Sequence, residues 1–367
     1  MASGTEELHL RQAGMPGQAG SAGAMPAAWT KSAGYWNEVG MDILGLGGSA
    51  LDTIKVVDHL PVRDGFCSVL STRRMLGGSG TNVLVQAQRL GARTASISKV
   101  ADDADSDAIV DSLRRIGVDT RGVIRQQGGF AAPRCLIYVD GHGEKALVLD
   151  GDGRRALPPI SMEEASFDLM NETSVLYLDL NPAELSLAAA KIAKDKGKTV
   201  VCNMQEDFET VLSKGIDREF LYELLHYVDV FAPCQEGVGP CAGSYEIDDE
   251  IEFVRRHFSG IIVLTQGSRG VCAVDASNRR FDVPAFDIDA RDTTGAGDSF
   301  IGAFMTEHII GDCPMRQSLV FASACAALTC MDYGALSSPT RGRVEEFLAS
   351  HGNGMGEDLR TIAHKEN

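Results

Sequence analysis

From Met41 onward, short apolar runs alternate with longer stretches in which apolar and polar residues recur at helical spacing. The runs at 41–48 (MDILGLGG), 94–100 (TASISKV), 174–180 (SVLYLDL), 199–204 (TVVCNM), 228–233 (VDVFAP) and 260–267 (GIIVLTQG) are short and mainly apolar, as buried strands are. The stretches at 81–91, 104–116, 183–196 and 248–257 read as helices between them. Strands and helices in alternation predict an α/β fold, a mainly parallel central sheet with helices on both faces. No fixed internal period is present.

Two segments break this rhythm. Residues 52–61 (DTIKVVDHLP) with 66–74 (FCSVLSTRR), and 134–150 (RCLIYVDGHGEKALVLD) turning at Gly141-His142-Gly143, alternate as hairpin strands do. They predict a small separate β-sheet, formed from about 52–75 and 131–150 and suited to serve as a lid that excludes water from a site. Residues 1–37 are rich in Gly, Ala and Ser without a sustained period and are expected to form a disordered N-terminal tail. The domain is expected to span 38–345, with a C-terminal tail over 346–367.

Charge narrows the function. The 34 basic residues against 51 acidic ones leave −17, which argues against binding a phosphate backbone and so against nucleic acid. No stretch of about 18 apolar residues marks a membrane span. Nine cysteines without a CxxC pair indicate neither a disulfide framework nor a zinc site, and the N-terminal segment lacks an apolar h-region, so a cytoplasmic location is expected.

Gly45-Leu46-Gly47-Gly48-Ser49-Ala50 fits a dinucleotide-binding turn in letters only, because the β-branched residues that follow do not open a helix. Walker A, serine-hydrolase and HExxH signatures are missing. The strongest chemical signal is Asp292-Thr293-Thr294-Gly295-Ala296-Gly297-Asp298, running into an apolar helix. Gly295, Ala296 and Gly297 let backbone N–H groups converge on an anion at a helix N-terminus. Asp298 beside them is placed to take a proton from an attacking hydroxyl. A turn whose Asp merely complements the helix dipole would read the same way. The second signal is Gly77-Gly78-Ser79-Gly80-Thr81-Asn82, opening the helix VLVQAQRLG.

Together the two segments resemble the paired signatures of the ribokinase/PfkB family of carbohydrate and nucleoside kinases, over about residues 41–345. The resemblance implies a ribokinase-like fold with ATP and Mg²⁺ as cofactors, and K⁺ in cation-activated members. It places Asp298 as general base and the 295–297 backbone as anion hole. Asp52, Gly78 and Asn82 fall where the family holds its acceptor, although Ala50 stands where an Asn is usual. Asp52 could instead pair with an Arg, and Asn82 could cap its helix. Thr265-Gln266-Gly267-Ser268-Arg269-Gly270 matches the strand-turn that lines the nucleotide, giving Thr265, Gly267 and Gly270 as cofactor-binding residues, to which Thr294 of the 292–298 segment is added; an ordinary β-turn is the alternative for 265–270. Asp292 matches a monovalent-cation residue and could equally brace its own loop.

The family's Asn-x-x-Glu magnesium element is altered, with Cys234 for Asn and Gly237 for Glu. Glu236 is the nearby carboxylate expected to take over behind the metal, or a plain surface residue. The function implied is phosphoryl transfer from ATP to a primary hydroxyl of a small sugar or sugar-containing metabolite. Two rivals stand beside it: a nucleoside kinase, with Phe130 and Tyr138 near the lid available to stack a base, and a catalytically silent binding protein on the same scaffold. Pairing of lids at their edges would make a homodimer.

Overall fold

The computed structural model describes residues 40–351 apart from 151–152, so the expected tail over 1–37 lies outside the described residues. Strand β1 (Ile43–Leu46) is followed after three residues by β2 (Ala50–Val57) and then β3 (Val69–Gly77). Next come α1 (Ser79–Arg89), β4 (Thr94–Val100), α2 (Ala104–Ile116), β5 (Asp119–Arg125) and the hairpin β6 (Arg134–Val139) with β7 (Lys145–Asp150). The chain continues through β8 (Val175–Leu178), α3 (Ala183–Asp195), β9 (Thr199–Met204), α4 (Phe208–Ser213), α5 (Arg218–Leu225) and β10 (Val230–Pro233). Helices α6 (Gln235–Ala242) and α7 (Ile247–Arg255) precede β11 (Ile261–Thr265), β12 (Val271–Val274) and β13 (Arg280–Val283). Three helices close the chain: α8 (Ala296–Phe304), α9 (Met315–Cys330) and α10 (Arg341–His351).

Nine strands form one sheet in the order β13-β12-β11-β10-β9-β8-β1-β4-β5. It is parallel from β11 to β5, and β12 and β13 extend one edge antiparallel. Every residue of β1 and β8 is buried, which explains why their sequences do not alternate. Successive side chains enter opposite apolar layers, as the two-residue period of a strand requires. Leu44, Leu176 and Leu178 pack with Leu185 and Leu224 on one face. Ile43, Val175 and Tyr177 pack with Phe300, Phe304 and Phe321 on the other.

The chain leaves this sheet after Leu46, and Gly47-Gly48-Ser49 carry it straight into a second sheet ordered β3-β2-β6-β7. This is the small sheet expected from the alternating segments. Asp52, the first residue of the segment expected in the small sheet, lies there on β2, opposite Met75 on β3 and Cys135 on β6. The C-terminal boundary is also corrected. Beyond residue 345, α10 continues to His351 and buries Val344, Phe347 and Leu348, with Phe347 edge-on to Phe286. Its apolar side chains were too few and too close to the chain end to stand out from a tail. Residues 352–367 lie outside the described residues.

Candidate active site

Helices α2, α4 and α5 begin conventionally, with Asp103, Asp207 and Asp217 accepting from first-turn N–H groups. Helices α1 and α8 do not. Each starts after a glycine at positive φ, Gly78 at 92° and Gly295 at 76°, with no side-chain cap. A Cβ at Gly78 would meet the Gly48 carbonyl oxygen at 2.5 Å, and one at Gly295 would meet Ala335 at 2.4 Å, so only glycine fits either start. The first N–H groups of these helices have no intrahelical acceptor and carry the positive end of the helix dipole. Of the three N–H groups expected in the anion hole, that of Ala296 donates back to the Thr293 carbonyl at 3.3 Å, which leaves those of Gly295 and Gly297 as the cradle.

Asp298 lies in the first turn of α8, 8% exposed. The Ser79 hydroxyl donates to one of its carboxylate oxygens at 2.7 Å and Asn82 Nδ2 donates to the other at 2.8 Å, so α1 fixes the carboxylate of α8. Burial pushes the Asp298 carboxyl upward, and these two hydrogen bonds oppose the push. A raised carboxylate is a better proton acceptor. Behind it, a buried chain of polar groups locks the three helices together: Ser299 Oγ donates to Gln86 Oε1 at 2.7 Å, and Thr329 Oγ1 donates to Ser299 Oγ at 2.9 Å.

A cleft of about 530 Å³ opens in front of Asp298 between the two sheets. Asp52, Gly78, Asn82, Thr294, Gly295 and Gly297 line it together with Asp298, so residues from both sequence signatures meet in one place. Asp52 is 5% exposed, and burial raises its carboxyl to about 7, with the charges of Asp298 and Asp292 adding to the effect. Three buried acceptor oxygens, Asn82 Oδ1, Asn203 Oδ1 and Thr294 Oγ1, have no hydrogen-bond partner, and all three residues face the cleft. Unpaired buried oxygens are costly, and a bound ligand with hydroxyl or hydrated-cation donors would satisfy them.

Several cleft residues were not anticipated. Asp179, just past β8, accepts from the Gly48 N–H at 2.9 Å and is raised by burial to about 6. The rule that parallel sheets bind ligands beyond the carboxyl ends of their strands would have flagged it, together with Asn203, Gln205 and Glu206 after β9. Glu206 is paired with Lys214 across the cleft wall.

Other expected residues are placed differently. Thr265, Gly267 and Gly270 sit at the β11–β12 turn, outside the residues lining the cleft, and are linked to it through Gln205, whose Oε1 accepts from Thr265 Oγ1 at 3.3 Å. Asp292 is fully buried and braces its loop: its oxygens accept the N–H groups of Thr294 at 2.9 Å and Gly334 at 2.8 Å. Glu236 is exposed in the first turn of α6 and does not line the cleft. The altered loop packs instead on the backbone before it, where a Cβ at Gly237 would come 2.7 Å from the Glu206 carbonyl oxygen. Glu206 is thus the carboxylate this corner presents to the cleft. Phe130 and Tyr138 are not among the lining residues either; the small sheet contributes Ile137, Leu147 and Leu149.

The chain is 31% identical over 308 residues to an ATP-dependent ribose-1-phosphate kinase of Halopiger xanaduensis, covering 84% of this chain and 98% of the relative. It is 29% identical over 282 residues to the ribokinase of Haemophilus influenzae, covering 74% and 87%. The fold matches the crystal structure of a putative Escherichia coli ribokinase II in complex with ATP and Mg²⁺, with a TM-score of 0.72, 19% identity and coverage of 85% of this chain and all of the other. The model of the pfkB family carbohydrate kinases matches residues 49–341, and the chain belongs to that family.

Proposed function

We propose that this protein transfers the γ-phosphoryl group of ATP to a primary hydroxyl of a small sugar or sugar-containing metabolite. The observation that carries the reading is Asp298, buried at the head of α8, held at both oxygens by α1 and set beside the Gly295–Gly297 cradle in the cleft that also contains Asp52. Asp52, Asp179 and the open oxygen of Asn82 hold the acceptor through its hydroxyls. Asp298 takes the proton of the reacting hydroxyl as the oxygen–phosphorus bond forms, and the bond to the bridging oxygen breaks with its electron pair leaving on ADP. The cradle steadies the charge on the moving group. The names of the relatives, kinases of ribose-1-phosphate and ribose, support a sugar acceptor.

Magnesium ion bound with ATP would neutralise phosphate charge. No group of three or more metal-ligating side chains is present among the described residues. The donors that are present, Glu206 and Asn203, suit a hydrated Mg²⁺ held mainly by phosphates. Asp292 is given the bracing role, and no step is assigned to K⁺.

A nucleoside acceptor is disfavoured, since neither Phe130 nor Tyr138 reaches the cleft to stack a base. The intact Asp298 argues against a silent scaffold. A cytoplasmic location fits nine free thiols; among the described residues no helix is long and apolar enough to cross a membrane. A homodimer through the small sheet fits its exposed Phe66, Val69, Leu70 and Val148.

The test of the function is turnover of a panel of sugars and sugar phosphates with MgATP by the wild-type chain and by Asp298→Asn. At least one acceptor is expected to be phosphorylated, and the variant is expected to lose about 10²-fold or more in kcat while still binding ATP. Near-normal turnover by the variant would remove Asp298 from the role of base.

A further inference from the structure

Three basic residues line the cleft, Arg134, Lys145 and Lys214. Two of them are already engaged. Arg134 pairs with Asp105 and Asp150, and Lys214 with Glu206. Lys145 has no carboxylate partner within 4 Å among the described residues. An unpaired cation facing a cleft, in a chain of net charge −17, needs another explanation than stability.

Its position is set by register. Lys145 opposes Val139 on the β6–β7 hairpin, two and four residues ahead of Leu147 and Leu149, so the three share one face of β7 and line the cleft together. Lys145 stands at the end of this row nearest the hairpin turn. That turn is docked against the anion-hole loop: at Gly143, φ 80°, a Cβ would lie 3.3 Å from the carbonyl oxygens of both Ala290 and Arg291. Asp52 lies at the other end of the sheet face, in register with Cys135 and through it Leu149. Lys145 is therefore at the phosphate end of the cleft, and Asp52 at the acceptor end. Consistent with this, the charge of Lys145 is felt at the Asp298 carboxyl, where it offsets part of the upward push of burial.

We propose that Lys145 is a catalytic residue carried by the small sheet, its ammonium group contacting the γ-phosphoryl oxygens as they pass from ATP to the acceptor hydroxyl. The inference rests on the functional reading above and adds a role that neither signature supplies. The equatorial oxygens of the transferring group carry negative charge throughout, and two backbone N–H groups meet them from one side only. A cation arriving with the small sheet meets them from the other side. The site is then complete only when the sheet is seated over the acceptor, so turnover is tied to acceptor occupancy.

The test uses Lys145→Met, which keeps the length and removes the charge, with Lys145→Arg and Lys145→Gln as companions. Steady-state kinetics are measured with the acceptor that the wild-type chain turns over best. Lys145→Met is expected to lose about 10²-fold in kcat, with both KM values within about threefold of wild type, and Lys145→Arg to recover part of the loss. Calorimetry with MgADP, aluminium fluoride and acceptor supplies the readout that a purely structural role would not move. The wild type is expected to bind this mimic of the moving phosphoryl group at least about tenfold more tightly than Lys145→Met, with MgADP alone bound equally by both. An unchanged kcat in both neutral variants overturns the proposal. So does a loss confined to acceptor KM, which would make Lys145 an acceptor contact. If the wild-type chain phosphorylates no sugar at all, the functional reading itself fails, and the two failures are thereby told apart.

Discussion

Asp52, Asp179 and Asp298 are three carboxyls buried around one cleft, and burial raises all three. For Asp52 the consequence is measurable in the empty protein. Its carboxyl titrates near 7 in the fold against 3.8 ordinarily, so the folded state holds the proton more tightly than the unfolded chain. The ionised group then weakens the unliganded fold progressively as pH rises from about 4 to about 7, and by a constant amount above that. The limit is on the order of 4 kcal/mol, from about three pH units at roughly 1.4 kcal/mol each. Asp52→Asn is expected to raise Tm at pH 8, to raise it less at pH 5, and to abolish stabilisation by the acceptor. A lower Tm at pH 8 in thermal melts would show that the carboxylate is satisfied in the empty cleft. Asp298 was legible because it closes the run Gly295-Ala296-Gly297, whereas Asp52, between Leu51 and Thr53, was legible only through the family resemblance. Asp179 was passed over: its place near the carboxyl end of SVLYLDL points to the cleft by the rule for parallel sheets, but no glycine run or signature surrounds it to draw attention.

Among elements, the short, mainly apolar strands and the helices between them were the readable part, because burial on both faces, complete in β1 and β8, leaves few polar letters to confuse the pattern. The altered loop at 234–237 was not readable, because its meaning lies in a contact across the chain. A side chain at Gly237 would be driven into the backbone at Glu206. Restoring Cys234→Asn with Gly237→Glu is therefore expected to lower Tm. Glu206→Gln is expected to raise the half-saturating Mg²⁺ by about tenfold, in titrations of both initial rate and ATP affinity, whereas Glu236→Gln leaves it unchanged. Should Glu236→Gln move the Mg²⁺ requirement and Glu206→Gln not, the assignment reverses.

For the whole molecule, the order of strands could not be read from one sequence, since it is set by how crossovers pack rather than by any local pattern; the two-sheet division could, from the change of period at residues 52–75 and 134–150. The small sheet ends in two unpaired edge strands, β3 and β7, and presents apolar side chains outward. Light scattering at micromolar concentration is expected to give twice the chain mass, and Leu70→Lys with Val148→Lys to return it to that of one chain. A wild-type protein that scatters as one chain leaves the sheet without a second copy.

The last helix sets where the gene can be cut. The family match stops at residue 341, the first residue of α10, and an expression boundary drawn there would remove Val344, Phe347 and Leu348 from the layer beneath α9. Burial of such side chains stabilises by roughly 1.5–3 kcal/mol each, so their combined loss is comparable with the about 5–15 kcal/mol that holds a typical domain together. Phe286 would lose its aromatic neighbour as well, on the segment that runs from β13 toward the anion hole. A boundary for cloning or for a C-terminal tag therefore falls no earlier than His351, and a short product cut at the edge of the match would be misread as an inactive enzyme when it is an incompletely built one.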